Sequence, residues 1–123
     1  LVVNNAITAL SNGDLLIVSN TASINCNLGN VFSLDLPNQA TPIRIEATNV
    51  AQGQTVNLRI FNVGAAAATT KFSNTFRWSE GTEFVTSITP GTTDIISFVA
   101  YPDGNSSSTR YLYGTGLKNF TVL

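Results

Sequence analysis

Hydrophobic and polar residues alternate along several stretches of this chain. Apolar Phe32, Leu34 and Leu36 alternate with polar residues, and residues 43–47 and 56–60 repeat the pattern. In an extended strand, successive side chains point to opposite faces, so each stretch predicts a half-buried β-strand. Half-buried strands are typical of antiparallel sheets that pack face to face.

Three further stretches extend this pattern of strands. Residues 95–101 are apolar on both faces, apart from Ser97, and predict a central strand. Residues 15–18 predict another strand. Residues 110–113 predict a late strand with Tyr111 and Tyr113 on one face. Turn residues recur between these stretches, and no window shows a helical period. The predicted fold is all-β: a single-domain, antiparallel, jelly-roll-like β-sandwich. Its expected core residues are Phe32, Leu34, Leu58, Ile60, Ile96 and Phe98.

The chain of 123 residues has the length of one domain. Residues 1–13 are expected to form an N-terminal arm or edge strand, and residues 14–123 the β-sandwich domain. The apolar residues of the arm are the predicted assembly interface, because an exposed strand edge is open to pairing with a neighbouring subunit. These residues are Leu1, Val2, Val3, Ile7 and Leu10.

Charge is scarce in this sequence. Charged residues make up 11% of the chain, against about 25% in a typical domain, and the net charge is −1. Low net charge favours association with other molecules. The basic residues are scattered singly, so no nucleic acid partner is expected. No apolar run approaches the ~20 residues that span a bilayer, so no membrane partner is expected either.

The chain contains no histidine and one cysteine, Cys26. Without histidine, the Ser-His-Asp triad, the Cys-His pair and histidine-metal chemistry are excluded. Cys26 has no partner for an internal disulfide, and a free cysteine is typically buried as a small hydrophobic residue. We therefore expect neither an enzyme nor a bound cofactor or metal.

Three local motifs admit a chemical and a plain interpretation. Glu80 and Glu83 resemble a hydrolytic carboxylate pair, but two solvated turn residues are the favoured interpretation. Residues 103–106 offer oxygen ligands for calcium, but a single acid in this stretch favours a hairpin turn. Residues 114–116 have the glycines of a phosphate-binding loop but lack its lysine and following helix, which favours a bend at the end of a strand.

Trp78 and its neighbours are the candidate contact residues. An exposed Trp78 beside Arg77 would stack on a sugar ring, whereas a buried one would fill the core or pack against another subunit. The structural interpretation is favoured. Tyr111 and Tyr113 belong to the same candidate set, which would contact either a glycan or a subunit. In a glycan-binding protein, Tyr101 would join them on an exposed aromatic surface.

Three segments carry a family resemblance. Residues 28–36 contain a Gly-Asn-Val-Phe strand, and residues 72–82 contain an Arg-Trp pair followed by Gly-Thr. Residues 92–98 contain Asp-Ile-Ile-Ser-Phe and precede the aromatic stretch 111–114 and a terminal Asn-Phe. In this order and spacing they resemble a β-sandwich module of tailed-bacteriophage virion proteins, which recurs in head-decoration (cement), neck and tail-fibre proteins.

The resemblance implies a structural module that is usually trimeric and has no catalytic function. The expected protein is a capsid decoration protein that stabilises the phage head and lies on the capsid surface of the virion. Its partners would then be itself, as a homotrimer, and other virion proteins such as the major capsid protein. The alternative is a tail-fibre receptor-binding module that recognises host surface polysaccharide. The same fold serves both functions, so the fold does not decide between them.

Overall fold

The computed structural model describes residues 11–102, 104 and 109–121. Within these residues the regular structure consists of ten β-strands and one 3-10 turn, Ser79–Gly81. No helix in this part of the chain has the length and apolar character needed to cross a membrane. The strands are β1 (Ser11–Asp14), β2 (Ile17–Val18), β3 (Thr21–Asn25), β4 (Val31–Leu36), β5 (Ile43–Thr48), β6 (Thr55–Asn62), β7 (Thr70–Phe72), β8 (Phe76–Trp78), β9 (Thr93–Pro102) and β10 (Arg110–Phe120).

The strands form two sheets around one core, as in a β-sandwich. The six-stranded sheet has the order β1-β4-β6-β9-β10-β8, and the four-stranded sheet has the order β2-β3-β5-β7. From β3 to β8 the chain changes sheet at every step. Two successive strands of one sheet are therefore separated by a strand of the other sheet, and they run in the same direction. Strands β3, β5 and β7 are parallel to one another, and β4 is parallel to β6.

The prediction of antiparallel sheets is wrong for much of the molecule. Only β2–β3, β6–β9 and β9–β10 pair antiparallel among the described strands. The alternation of apolar and polar residues is the same in both kinds of sheet, so it does not report strand direction. Most of the turns between consecutive strands carry the chain to the opposite sheet. This strand order does not confirm the jelly-roll arrangement.

The predicted core is confirmed. All six expected residues are buried, and the core cluster joins side chains from both sheets, such as Ile24 and Ile45 from one and Leu58 from the other. Cys26 is buried in the same cluster, as expected. Removing one such side chain from water contributes about 1.5–3 kcal/mol, so this shared core is the main source of stability.

Strand β10 passes through two glycines that face inward. The prediction of a strand-end bend at residues 114–116 is wrong, because the strand continues beyond them. A Cβ on Gly114 would come within 3.0 Å of the Phe98 ring, and one on Gly116 equally close to the Phe84 ring. The missing side chains make room for two aromatic rings, which pack directly on the strand backbone.

The beginning of the described chain forms an edge of the six-stranded sheet, where β1 pairs parallel with β4. Residues 1–10, which include all five predicted assembly residues, lie outside the described residues. The strand predicted over residues 15–18 is shorter than expected, since β2 has two residues only. The Leu15 amide donates to the carbonyl of Ser33 (2.7 Å), where the chain leaves one sheet for the other.

Candidate interaction site

The outer face of the six-stranded sheet carries a group of tyrosines and one arginine. The group lies on the adjacent strands β8, β10 and β9. The chain neighbours Phe76, Ala100 and Leu112 are buried, so strand alternation turns this group toward solvent. We call it the tyrosine face; its members are Arg77, Tyr101, Tyr111 and Tyr113.

Arg77 is held in place by its neighbours on this face. Its guanidinium carbon lies 3.7 Å from the centre of the Tyr111 ring, which is a cation–π contact. The same side chain donates a hydrogen bond to the backbone carbonyl of Asn74. Strand register also places Arg77 opposite Tyr113, so the arginine lies beside two tyrosines of β10. The cation is therefore fixed in a defined position.

Tyr101 and Tyr113 are the accessible rings of the tyrosine face. Their ring centres are 6.0 Å apart, and the rings meet edge to face at 69°. Tyr101 is 55% exposed and Tyr113 is 40% exposed. Each offers a flat apolar ring and a hydroxyl group on a regular strand. Tyrosine and arginine are enriched in the buried centres of protein interfaces, which makes this face a candidate contact surface.

Trp78 lies on the other side of the same sheet. Its ring centre is 4.9 Å from that of Phe72 and 5.6 Å from that of Phe98, and it stacks on Phe84 at 6.3 Å. It is partly buried against the core. The structure therefore brings together three of the four predicted contact residues and separates Trp78 from them. Adjacent residues of a strand point to opposite faces, which is the sequence signal that separates Arg77 from Trp78.

The two glutamates of the candidate hydrolytic pair have different surroundings. The Glu83 carboxylate is 4.0 Å from the Lys71 ammonium, and Glu80 is an exposed residue of the 3-10 turn with a left-handed φ of 56°. Within the described residues, no three acidic, cysteine or histidine side chains lie together as metal ligands would. Of residues 103–106, only Gly104 is described, and its φ of 74° is typical of a turn.

Burial changes the chemistry of Cys26. Desolvation raises the pKa of its thiol from the ordinary 9.0 to about 11. The reactive species is the thiolate, so the raised pKa keeps the group protonated and unreactive near neutral pH. Cys26 is thus a core residue and not a nucleophile.

Asp94 is a buried acid whose role the sequence analysis missed. Its carboxylate accepts hydrogen bonds from the backbone amides of Ser87 (2.6 Å) and Asn119 (3.0 Å). The Asn62 side-chain amide donates to the carbonyl of Ser87 (3.0 Å). These bonds join the loop before β9 to the end of β10. The signal was present, since Asp94 falls in the inward series with Ile96, and a buried acid must find donors.

Comparison of the chain with protein-family models, with curated proteins and with solved structures gives no match. Function is therefore inferred from the tyrosine face and from the residues that carry the phage-module resemblance.

Proposed function

We propose that this protein is a structural component of a bacteriophage virion, a capsid decoration protein that docks on the head through the tyrosine face. The observation that carries the proposal is the accessible Tyr101–Tyr113 pair beside the fixed Arg77. Large side chains with few rotatable bonds lose little conformational entropy when a partner covers them, and such residues dominate binding energy at protein interfaces.

The position of the tyrosine face in the fold favours a large, flat partner. Its side chains stand on the regular strands β8, β9 and β10, and the opposite side of these strands packs on the core. A surface supported in this way does not need to reorganise on binding, which reduces the free-energy cost of association. The major capsid protein is the proposed partner, and the docked form is proposed to be a homotrimer.

The experiment that tests this function is cryo-electron microscopy of particles of the phage that encodes the chain. We expect many copies on the capsid surface, with strands β8, β9 and β10 turned toward the shell. Copies at the tail alone would contradict decoration and favour the receptor-binding alternative. Particles that lack the protein altogether would overturn the proposal of a virion component.

A second candidate function is recognition of host surface polysaccharide by a tail-fibre module. It is favoured by a row of neutral polar residues beside the exposed rings: Asn57, Ser97 and Thr115 lie opposite one another across three strands. The Ser97 hydroxyl donates to the Asn57 side-chain oxygen at 2.7 Å. Aromatic rings next to hydroxyl and amide groups suit a sugar, which has both apolar and polar sides.

Titration calorimetry with purified host polysaccharide tests this second function. If Tyr101 stacks on a sugar, then Tyr101→Phe retains binding and Tyr101→Ala loses it. Binding of polysaccharide that is unchanged in Tyr101→Ala would exclude the tyrosine face as a glycan site.

We also propose that the protein is not an enzyme. Polysaccharide, peptide and nucleotide substrates are expected to remain intact after incubation with the purified chain. Turnover that disappears in Glu80→Gln or Glu83→Gln, and not in Tyr113→Ala, would show that the carboxylates act chemically and would contradict this part of the proposal.

A further inference from the structure

Three loop segments at one end of the sandwich contain no charged residue. Strands β4 and β6 are parallel and β9 is antiparallel to β6, so the loops after β4 and β6 and the loop before β9 lie at the same end. The segments are residues 37–42, 63–69 and 84–92, and none of them contains Asp, Glu, Lys or Arg. The last is the part of the loop 82–92 that follows Glu83, whose carboxylate lies 4.0 Å from the Lys71 ammonium. We call the surface of these three segments the neutral end.

Apolar side chains project from the neutral end. Ile88 is 83% exposed and Val85 is 65% exposed, and Val63, Ala65 and Ala66 are also exposed. Single exposed apolar residues are common, but several on adjacent loops without an intervening charge form a patch, and apolar patches mark interaction surfaces.

Hydrogen bonds between the loops hold the neutral end in one arrangement. The Ala68 amide donates to the carbonyl of Pro37 (2.8 Å), and Asn38 forms a β-bridge with Ala67. On the other side, the Asn62 side chain reaches the carbonyl of Ser87. Loops that are already ordered lose less conformational entropy when a partner binds, so this surface is prepared for association.

The loop of residues 63–69 has a groove on one side and an apolar projection on the other. The groove is open, has a volume of about 370 Å³, and is lined by Asn38, Gln39, Ala40, Ala66, Ala67 and Thr69. Ile88 lies on the opposite side, across a cleft of about 40 Å³ that has room for little more than a water molecule. The groove has no charged lining: three of its residues are alanines, and the others are the neutral polar residues Asn38, Gln39 and Thr69.

We propose that a second copy of this chain seats on the neutral end, with Ile88 of one copy in the groove beside Ala66 of the next. A charged partner would bury its charges against loops that have none to pair with them, which costs free energy. A second copy offers an uncharged surface and an exposed isoleucine. It is therefore the partner whose chemistry matches the groove.

The symmetry of this contact follows from its two different patches. A contact between unlike patches is heterologous, and heterologous contacts close into rings when the rotation allows it. The inference rests on the proposed homotrimer and locates its contact at the neutral end, whereas strand edges and residues 1–13 were the sequence-based expectation. It requires no capsid, so it is testable on the isolated chain.

Cysteine cross-linking tests the geometry directly. One preparation carries Ile88→Cys and another carries Ala66→Cys, and both are oxidised alone and as a mixture. The native Cys26 is buried and its thiol stays protonated, so it does not interfere. A disulfide-linked dimer that forms in the mixture and not in either preparation alone supports the contact. Cross-linking of Ile88→Cys alone shows a two-fold contact and overturns the proposal, and so does the absence of product in the mixture.

Sedimentation velocity of charge variants tests the energetics. Ile88→Lys and Ala66→Lys are each expected to weaken self-association at least about tenfold, because each places an unpaired charge in the contact. Leu117→Lys, at a 68% exposed position on the outer face of the six-stranded sheet, is the matched control and leaves association unchanged. Circular dichroism confirms that each variant is folded.

Three results would each contradict the inference. The first is a wild-type chain that is monomeric at about 100 µM, a concentration above the micromolar range of weak specific complexes. The others are association that persists in Ile88→Lys, and Ile88-dependent binding of phosphatidylcholine vesicles without self-association. Failure here leaves capsid docking by the tyrosine face untouched. Conversely, an Ile88-dependent trimer that does not bind heads would overturn the proposed function and leave this contact in place.

Discussion

The two outer faces of the sandwich cover the same core but differ in chemistry. The outer face of the four-stranded sheet carries Arg44, Glu46 and Lys71, and the Arg44 Nε and Glu46 Oε1 atoms form an ion pair at 2.6 Å. The outer face of the six-stranded sheet also has an ion pair, between Arg59 and Asp35 at 3.6 Å, but it differs in carrying Tyr101 and Tyr113 with their rings accessible. Charged and short polar residues are sufficient to keep a face solvated. The exposed rings therefore exceed what folding requires, which is the reason for proposing that face as the binding surface.

The largest expected effect separates the core from both outer faces. Leu58→Ala removes a fully buried side chain and should lower the free energy of unfolding by about 2–5 kcal/mol. Tyr113→Ala, on the outer side of the same sheet, should change it by less than about 1 kcal/mol. Urea denaturation followed by fluorescence measures both values. Equal losses would mean that Tyr113 supports the fold, and the distinction between faces and core would then fail.

The next effect separates the two sides of β10. Gly114→Ala places a methyl group against the Phe98 ring and should cost about 1–3 kcal/mol, because an overpacked core must shift its side chains. Thr115→Ala changes the next residue, which points outward and is exposed, and should cost no more than about 0.5 kcal/mol. Thermal melts of the pair give the comparison. A Gly114→Ala protein as stable as the wild type would show that the rings do not need the space.

The smallest expected effect concerns the outer face of the four-stranded sheet. Arg44→Ala breaks the ion pair with Glu46. The Arg44 side chain is 54% exposed and the Glu46 side chain is 40% exposed. Exposed pairs of this kind contribute about 0.2–1 kcal/mol, and solvent screening places this one toward the lower limit. Denaturation at low and at high salt measures the difference. A loss that is larger and insensitive to salt would show that the four-stranded face has a structural role beyond solvation.

The sequence was sufficient to predict β4, β5, β6 and β9 and their inward residues, because strand alternation is a local property. The shorter strands β3, β7 and β8 were not predicted. Phe32, Leu34 and Leu36 are buried as expected, because residues two positions apart in a strand lie on the same face. Strand partners were not predictable in the same way. Whether β4 pairs with β6 in parallel depends on where the chain goes between them, and a turn signal does not show whether the next strand stays in the same sheet.

Part of the candidate site was predictable for the same reason. Tyr111 and Tyr113 were placed on one face by their spacing, and the structure has them on the tyrosine face. Alternation also determines the opposite placement of Arg77 and Trp78, which had been grouped together. The need for glycine at position 114 was not predictable, because its reason is the ring of Phe98, which the pairing of β9 with β10 places opposite it.

The measurement that tests the central claim most directly is the binding of tyrosine-face variants to phage heads that lack this protein. The double variant Tyr101→Ala/Tyr113→Ala removes both accessible rings, and Arg44→Ala/Glu46→Ala is the matched control on the four-stranded face. Co-sedimentation with the heads gives the affinity of each. We expect the tyrosine variant to bind at least about tenfold more weakly than the wild type, and the control to bind as the wild type does. Unchanged binding of the tyrosine variant, or an equal loss in the control, would contradict the account.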